Sequence, residues 1–206
     1  MNRIFFIKNK KTPKNIIYLQ IDDVVNAAII NHGISLDSNT HKAIHFGHIQ
    51  IQKGGELCYC GGSGCLEKEI SIAAILVKAA ELLRNNYPDS YLSVNEIKIE
   101  NICAGVHLGD PLCLYLFNHI AELLAKPLST MINIFGTELV LINSPLNQAE
   151  NIFFSLLHQY CSEQVMPLYT NNLQIKKSEL SKKQSETALI QQALYDGSLL
   201  IQLLQG

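Results

Sequence analysis

The chain has 206 residues, of which 48% are hydrophobic and 17% are charged, and its formal net charge is −2. This composition is that of a folded globular chain with a sizeable core, and it excludes a disordered, highly charged polypeptide. The near-neutral charge gives no electrostatic reason to expect binding to nucleic acid, so we predict no direct DNA binding by this chain.

The predicted elements begin with two strands. Residues 15–22 and 24–31 are rich in apolar and β-branched residues, and Gly33 closes the second run. Residues 43–52 also favour a strand, which leads into a glycine-rich loop. A helix is predicted over 67–84 because its apolar side chains recur at helical spacing.

The rest of the chain alternates between helices and strands. Ser93 is a suitable N-cap for a helix over 94–106, and Asp110 followed by Pro111 predicts the start of a long helix, which Pro127 is expected to kink. The remaining predicted elements are strands at 138–143 and 172–179 and helices at 148–163 and 186–205. Strands followed by alternating helices and strands indicate an α/β domain with a mixed sheet.

The most specific motif is a histidine and three cysteines within the segment GHIQIQKGGELCYCGGSGCLE. His48, Cys58, Cys60 and Cys65 have the spacing H-x9-C-x-C-x4-C. Thiolates and a neutral imidazole suit zinc, and four protein ligands close a tetrahedral site with no position left for a reactive water. Glycines within the segment let the chain fold back far enough to bring the thiolates together. We predict a structural zinc site; the alternative is three ordinary buried thiols and a surface histidine.

The other three cysteines predict buried thiols. Cys103, Cys113 and Cys161 lie in helical, apolar contexts, where a small buried thiol is expected. The N-terminal apolar run IFFI is too short for a signal peptide, and no stretch is long enough to span a membrane. We therefore expect the chain in a reducing cytoplasm, without membrane insertion.

The zinc motif resembles the signature of the ROK family, which comprises transcriptional repressors, open reading frames and sugar kinases. The segments ELVLINSPLNQAENIFF and ALYDGSLLIQLLQG are similar to segments of the family's sugar-responsive repressors, and the glucose-responsive group is the nearest match. This likeness extends from about residue 13 to residue 206.

The resemblance implies a fold and a domain organisation. The expected fold is α/β, the C-terminal lobe of an actin-like (ribonuclease H-like, hexokinase-type) ATPase domain, with a zinc-binding loop over 48–67. Residues 1–14 would be a remnant of the inter-lobe segment, and residues 15–206 the lobe itself. The N-terminal helix-turn-helix and the first lobe of the family's repressors are expected to be absent.

The resemblance also implies a set of sugar-binding residues. Family members use the zinc histidine and the glutamate of the GCLE sequence, which are His48 and Glu67 in this chain. A second glutamate of the family pattern is replaced by His45, whose imidazole has at most one acceptor when neutral. The remnant sugar site would therefore consist of His48, Glu67 and His45. Glu67 also has a structural interpretation, as an acid in the first turn of the predicted helix.

The departures from the kinase pattern predict that the chain is not an enzyme. The catalytic aspartate of the kinases would belong to the absent lobe. Asn26 and Ala28 stand where kinases have phosphate-binding glycines, and Asn143–Pro145 replaces the glycines of the nucleotide site. A Cβ keeps backbone amides farther from a phosphate group. We therefore expect no catalytic residues.

The expected function is that of a truncated ROK regulator of genes for sugar uptake and metabolism, which acts as a zinc-stabilised sugar- or protein-binding module. The resemblance implies docking on the enzyme IIB domain of the glucose phosphotransferase transporter. The predicted helix 186–205 has an apolar face that suits packing on its own domain or self-association. The alternatives are a sugar kinase half, of glucose or N-acetylmannosamine type, which acts with a separately encoded first lobe, and a non-functional gene remnant.

Overall fold

A five-stranded mixed sheet forms the centre of the protein. The computed structural model describes residues 13–32, 34–36 and 44–178. The strands are β1 (Ile16–Ile21), β2 (Val25–Asn31), β3 (Ile34–Ser35), β4 (Leu139–Asn143) and β5 (Gln174–Lys177). They lie in the order β3-β2-β1-β4-β5, and β1 is antiparallel to β2 but parallel to β4. The mixed sheet predicted from the sequence is thereby confirmed.

One face of the sheet is fully buried. Ile17, Leu19 and Ile21 of β1 have no exposed surface, and the register places them opposite buried residues of the neighbouring strands. Side chains of a strand alternate between its two faces, so the residues between them form the opposite face. That second face, which includes Tyr18 and Ala28, is only half buried.

Six α-helices accompany the sheet in the described part of the chain. They are α1 (Glu67–Ile70), α2 (Ile72–Asn85), α3 (Ile99–His107), α4 (Pro111–Phe135), α5 (Glu150–Ser162) and α6 (Pro167–Thr170). Buried apolar residues of the four longer helices share one core with the inner face of the sheet. Cys103, Cys113 and Cys161 lie in this core as free thiols, as predicted.

The start of α4 is the best example of local chemistry setting an element boundary. Asp110 is its N-cap, Pro111 is its first residue, and the Asp110 carboxylate accepts a hydrogen bond from the Cys113 N–H at 2.9 Å. The same carboxylate accepts hydrogen bonds from the Ser90 hydroxyl at 2.9 Å and the Tyr91 N–H at 2.8 Å. Burial opposes ionisation, but these hydrogen bonds prevail and hold the pKa of Asp110 below its usual value.

Two of the predicted helices have different boundaries. The helix predicted over 67–84 is divided into α1 and α2 at Ser71, whose backbone is extended with ψ of 154°. The Ser71 hydroxyl accepts a hydrogen bond from the Ala74 N–H at 3.3 Å and so caps α2. The helix predicted over 94–106 begins later, at Ile99.

The strand predicted over 43–52 is not formed in its described residues. Phe46–His48 turn as a 3-10 helix, and Gln50 makes only an isolated bridge with Cys65. The apolar residues of this run serve a turn, since Phe46 packs into the core. That turn directs His48 toward the cysteine-bearing loop.

Some predictions fall on residues that the structure does not describe. The helix at 186–205, with its suggested role in self-association, and most of the segment 1–14 lie outside the described residues. Within the ranges 13–32, 34–36 and 44–178, no helix combines the length and the hydrophobicity that a membrane span requires.

Candidate metal centre

Four metal-ligating side chains converge in the segment that precedes α1. His48, Cys58, Cys60 and Cys65 each offer one ligand atom, and these atoms all lie within 4.8 Å of one another. Cys58 Sγ is 3.6 Å from His48 Nδ1, and Cys60 Sγ is 3.6 Å from Cys65 Sγ. Ligand atoms of a tetrahedral zinc ion, bound at the usual lengths, are about 3.5–3.8 Å apart. The structure thus brings the four predicted residues together, and these two pairs of ligand atoms have the separation expected of a tetrahedral zinc site.

Backbone hydrogen bonds fold the cysteine-bearing loop. The Cys58 N–H donates to the Gly62 carbonyl at 2.8 Å, and the Gly61 N–H donates to the Cys58 carbonyl at 3.0 Å. Gly64 has a φ of +66°, and a Cβ at this position would collide with the Gln52 carbonyl. Glycine is required there because both the backbone conformation and the available space exclude a side chain.

The loop is anchored at its C-terminal end. Leu66, the residue after Cys65, is fully buried, and its N–H donates to the Ile49 carbonyl at 3.0 Å. Lys68 in α1 forms an ion pair with Glu56 of the loop at 2.5 Å. The burial and hydrogen bond of Leu66 fix the C-terminal end of the loop next to the core.

The pKa values of two of the cysteines are shifted in opposite directions. Burial, reinforced by the neighbouring thiols, raises the pKa of Cys65 to about 12, whereas a hydrogen bond from the Gly62 backbone lowers the pKa of Cys60. Cys58 and Cys65 are buried and Cys60 is exposed. Metal binding requires thiolates, so a bound cation would take the place of the thiol protons.

A buried carboxylate lies beside the loop. Glu67 in α1 is 5% exposed, and its Oε2 accepts a hydrogen bond from the Val25 N–H at 2.8 Å. Gly47 packs closely against this pair, since a Cβ there would lie 3.0 Å from Glu67 Oε2 and 2.7 Å from the Val25 carbonyl oxygen. Glu67 is therefore both a first-turn acid of α1 and a link to the start of β2.

Two aromatic rings lie next to the metal ligands. The Tyr59 ring is edge-on to the His48 ring with centroids 5.0 Å apart, and the His45 ring is 5.8 Å from that of His48. A hydrogen bond to the Glu67 carboxylate raises the pKa of Tyr59 to about 12. Two of the three predicted sugar-binding residues, His48 and Glu67, thus have Tyr59 as a neighbour. Tyr59 was not predicted, because only its position between two cysteines marks it in the sequence.

The residues that replace the kinase glycines lie inside a strand. Asn26 and Ala28 belong to β2 and pair with Gln20 and Tyr18 of β1. The turn between the two strands consists of residues 22–24 instead.

Comparison with known proteins relates the whole described region to one family. The model of the ROK family matches residues 5–190. The chain is 31% identical over 195 residues to the DNA-binding transcriptional repressor Mlc of Escherichia coli K12, covering 94% of this chain and 48% of the repressor. This chain thus spans about half the length of the curated relatives it matches.

Comparison with solved structures also relates the chain to ROK family proteins. The structure of a ROK family transcriptional regulator, a homologue of the E. coli Mlc protein, has a TM-score of 0.80 at 36% identity. The matched region covers 94% of this chain and 49% of the regulator. A ROK family glucokinase from Streptomyces griseus, solved with glucose and AMPPNP, has a TM-score of 0.71 at 18% identity, with coverages of 84% and 58%. The mixed α/β fold is therefore the actin-like fold of the ROK sugar kinases.

One expectation needs correction. Glucokinases occur among the sequence relatives as well as among the structures that share the fold. The prediction that this chain is not an enzyme, which was drawn from its departures from the kinase motifs, is therefore wrong.

Proposed function

Because this chain belongs to the ROK family, we propose that it is half of a sugar-responsive regulator, a module that a structural zinc ion stabilises and that binds a sugar or a protein partner. The observation that carries this proposal is the convergence of four metal ligands beside the buried Glu67 carboxylate. The Mlc repressor and the structurally characterised Mlc homologue, at 31% and 36% identity, are both transcriptional regulators. In this proposal residues 15–206 form the C-terminal lobe of an actin-like ATPase domain.

Zinc is the metal that best suits the donor set. Three thiolates and one imidazole, arranged as a closed tetrahedron, are typical of structural zinc and unsuited to magnesium or calcium. Bound zinc would supply folding free energy and hold the loop in one conformation. The free thiols imply a reducing compartment, for which we propose the cytoplasm.

An ordered loop loses little entropy when it binds a partner, and this favours a docking role. Leu57 and Tyr59 project from the loop with 79% and 74% of their surfaces exposed. Large exposed side chains on a rigid segment are suitable anchors for a protein interface. We propose that they contact the enzyme IIB domain of the glucose phosphotransferase transporter, the partner that the family resemblance implies.

The partner proposal can be tested with two matched substitutions. Leu57→Asp changes the zinc loop, and Val77→Asp changes an equally exposed position on α2, where 71% of the side chain is accessible. Binding of purified enzyme IIB domain, followed by biolayer interferometry, should be lost in the first variant and retained in the second. Absence of binding to the unmodified, zinc-loaded chain at high micromolar concentration would contradict the docking role.

A sugar kinase half is the second candidate, since the fold is that of the ROK glucokinases and Glu67 offers a buried carboxylate. The chain should then phosphorylate glucose or N-acetylmannosamine only when mixed with a separately produced first lobe and magnesium-ATP. A mixture of two folded halves that stays inactive would favour the regulator. A cooperative melting transition that shifts on zinc chelation would contradict the interpretation of the chain as a non-functional remnant.

A further inference from the structure

Cys60 differs from the other cysteines of the chain in its exposure. It is exposed, whereas Cys58, Cys65 and the three core thiols are buried. A dissolved oxidant therefore meets Cys60 first. Cysteines that sense oxidants are accessible to solvent and lie next to a second cysteine, which resolves the oxidised form.

Cys65 lies where such a second cysteine is needed. Its Sγ is 3.6 Å from Cys60 Sγ, whereas Cys58 Sγ lies 3.6 Å from His48 Nδ1. A disulfide bond is about 2.0–2.1 Å long, so the two sulfur atoms must approach by about 1.5 Å. Three of the four residues between them are glycines, whose backbone changes conformation at little steric cost. A small rearrangement of the loop therefore brings the two sulfur atoms to bonding distance.

Gly62 leaves this pair of sulfur atoms open on one side. A methyl group at Gly62 would lie 3.5 Å from Cys60 Sγ and 3.8 Å from Cys65 Sγ, which is ordinary contact. Because glycine has no Cβ, that space is available to a molecule as small as hydrogen peroxide. An oxidant can thus reach both sulfur atoms from the Gly62 side.

From this geometry we infer that Cys60 and Cys65 form an oxidation site, at which hydrogen peroxide, approaching over Gly62, converts the two thiols into a disulfide. The Cys60 sulfur attacks one peroxide oxygen, the O–O bond breaks, and a water molecule leaves with the thiol proton, which produces a sulfenic acid. The Cys65 sulfur then attacks the Cys60 sulfur, so that the S–S bond forms, the S–O bond breaks and a second water molecule leaves. The two sulfur atoms together lose two electrons, which the peroxide gains.

Metal ligation by the pair ends with this reaction. Only His48 and Cys58 then remain of the four ligands, and two ligands are too few for a closed tetrahedral site. One zinc ion should therefore leave for each disulfide formed, and the loop loses the constraint on which its docking role depends. The release of the ion rests on the zinc site of the proposed function, whereas the oxidation of the pair rests on the geometry of the sulfur atoms alone.

Treatment of the zinc-loaded chain with millimolar hydrogen peroxide tests the inference. The partly oxidised protein is unfolded, alkylated and digested with chymotrypsin, because cleavage after Tyr59 separates Cys58 from the fragment that carries Cys60 and Cys65. Mass spectrometry should find a disulfide within that fragment and alkylated thiols at Cys58 and at the three core cysteines. A colorimetric zinc chelator should detect about one ion released per disulfide.

Gly62→Ala and Ser63→Ala are the matched variants. Gly62 does not have the positive φ of Gly61 and Gly64, so alanine suits its backbone and all four ligands are kept. Gly62→Ala adds a methyl group against both sulfur atoms, whereas Ser63→Ala changes the neighbouring residue without adding an atom. Disulfide formation should be about threefold slower or more in Gly62→Ala, because shielding raises the barrier, and unchanged in Ser63→Ala.

A disulfide that includes Cys58, or sulfinic acid without any disulfide, would overturn the inference. Equal rates of disulfide formation in Gly62→Ala and Ser63→Ala would overturn it as well. A purified chain that contains no zinc would remove the metal from the proposed function. The same digestion of the metal-free chain would still decide, by the same criteria, whether Cys60 and Cys65 form the oxidation site.

Discussion

Exchange of a single cysteine for serine measures the contribution of the metal centre to stability. Cys65 and Cys103 are both 2% exposed, but only Cys65 belongs to the four-ligand cluster. Burying a hydroxyl in place of a thiol carries a similar penalty at both positions, about 1–3 kcal/mol. Cys103→Ser is therefore the matched control for Cys65→Ser, and the difference between them reports the metal.

The expected difference in stability between the two variants follows from the loss of one metal ligand in Cys65→Ser. Substitutions that only disturb the surroundings of a metal ligand weaken binding by about 10–100-fold, so loss of a ligand should weaken it by about a hundredfold or more. At saturating zinc this corresponds to about 2.7 kcal/mol of folding free energy. We therefore expect Cys65→Ser to lower the free energy of unfolding by about 4–6 kcal/mol and Cys103→Ser by about 1–3 kcal/mol.

Urea denaturation followed by far-ultraviolet circular dichroism, with saturating zinc and again with a chelator, provides the measurement. Zinc content, determined by atomic emission, should be about one ion per unmodified chain and per Cys103→Ser chain. The gap between the two variants should close in chelator. Equal losses of stability in zinc-loaded protein, or an unmodified chain that contains no zinc and ignores the chelator, would refute the metal centre.

Three other substitutions test how the site and its supports are built. Gly64→Ala should lower the free energy of unfolding by about 2 kcal/mol more than Gly54→Ala. Both glycines have positive φ, so alanine strains the backbone at either position, but only at Gly64 would the added Cβ also collide with a backbone carbonyl. Equal shifts of the melting temperature in the two variants would contradict this. The ionised Asp110 carboxylate stabilises the fold, because the folded state binds the proton of this group less tightly than the unfolded state does. Asp110→Asn should therefore lower the free energy of unfolding by its full amount above about pH 4, and the loss should shrink as the pH falls through the lowered pKa of Asp110. A difference between unmodified chain and variant that stays constant from pH 7 to about pH 2 would show that the charge is irrelevant. Gly47→Ala should push the Glu67 carboxylate away from β2 and lower stability by about 1–3 kcal/mol with zinc content unchanged; an unaltered urea midpoint would argue against that link.

Features that depend on neighbours in the sequence could be predicted. The four candidate metal ligands lie within eighteen residues of chain, from His48 to Cys65, so their spacing alone indicates that one ion could bind all four. The start of α4 was predictable for the same reason, because an aspartate N-cap and a proline act on amides within one turn of themselves. The central strands also followed from the sequence, since burial of one face imposes alternation on each strand.

Other features depend on residues that only the folded chain brings together. Ser71 divides a continuous apolar pattern because its backbone turns there, and residues 46–48 form a turn although their pattern suits a strand. The hydrogen bond between Glu67 and Val25 joins positions 42 residues apart, and the placement of Tyr59 beside the same carboxylate depends on the fold of the loop. The sequence by itself thus determined the candidate ligands, the Asp110 cap and the alternation of the strands, which arise from short-range chemistry. The tertiary structure decided what surrounds the metal centre and where Asn26 and Ala28 lie, because packing selects which distant groups meet.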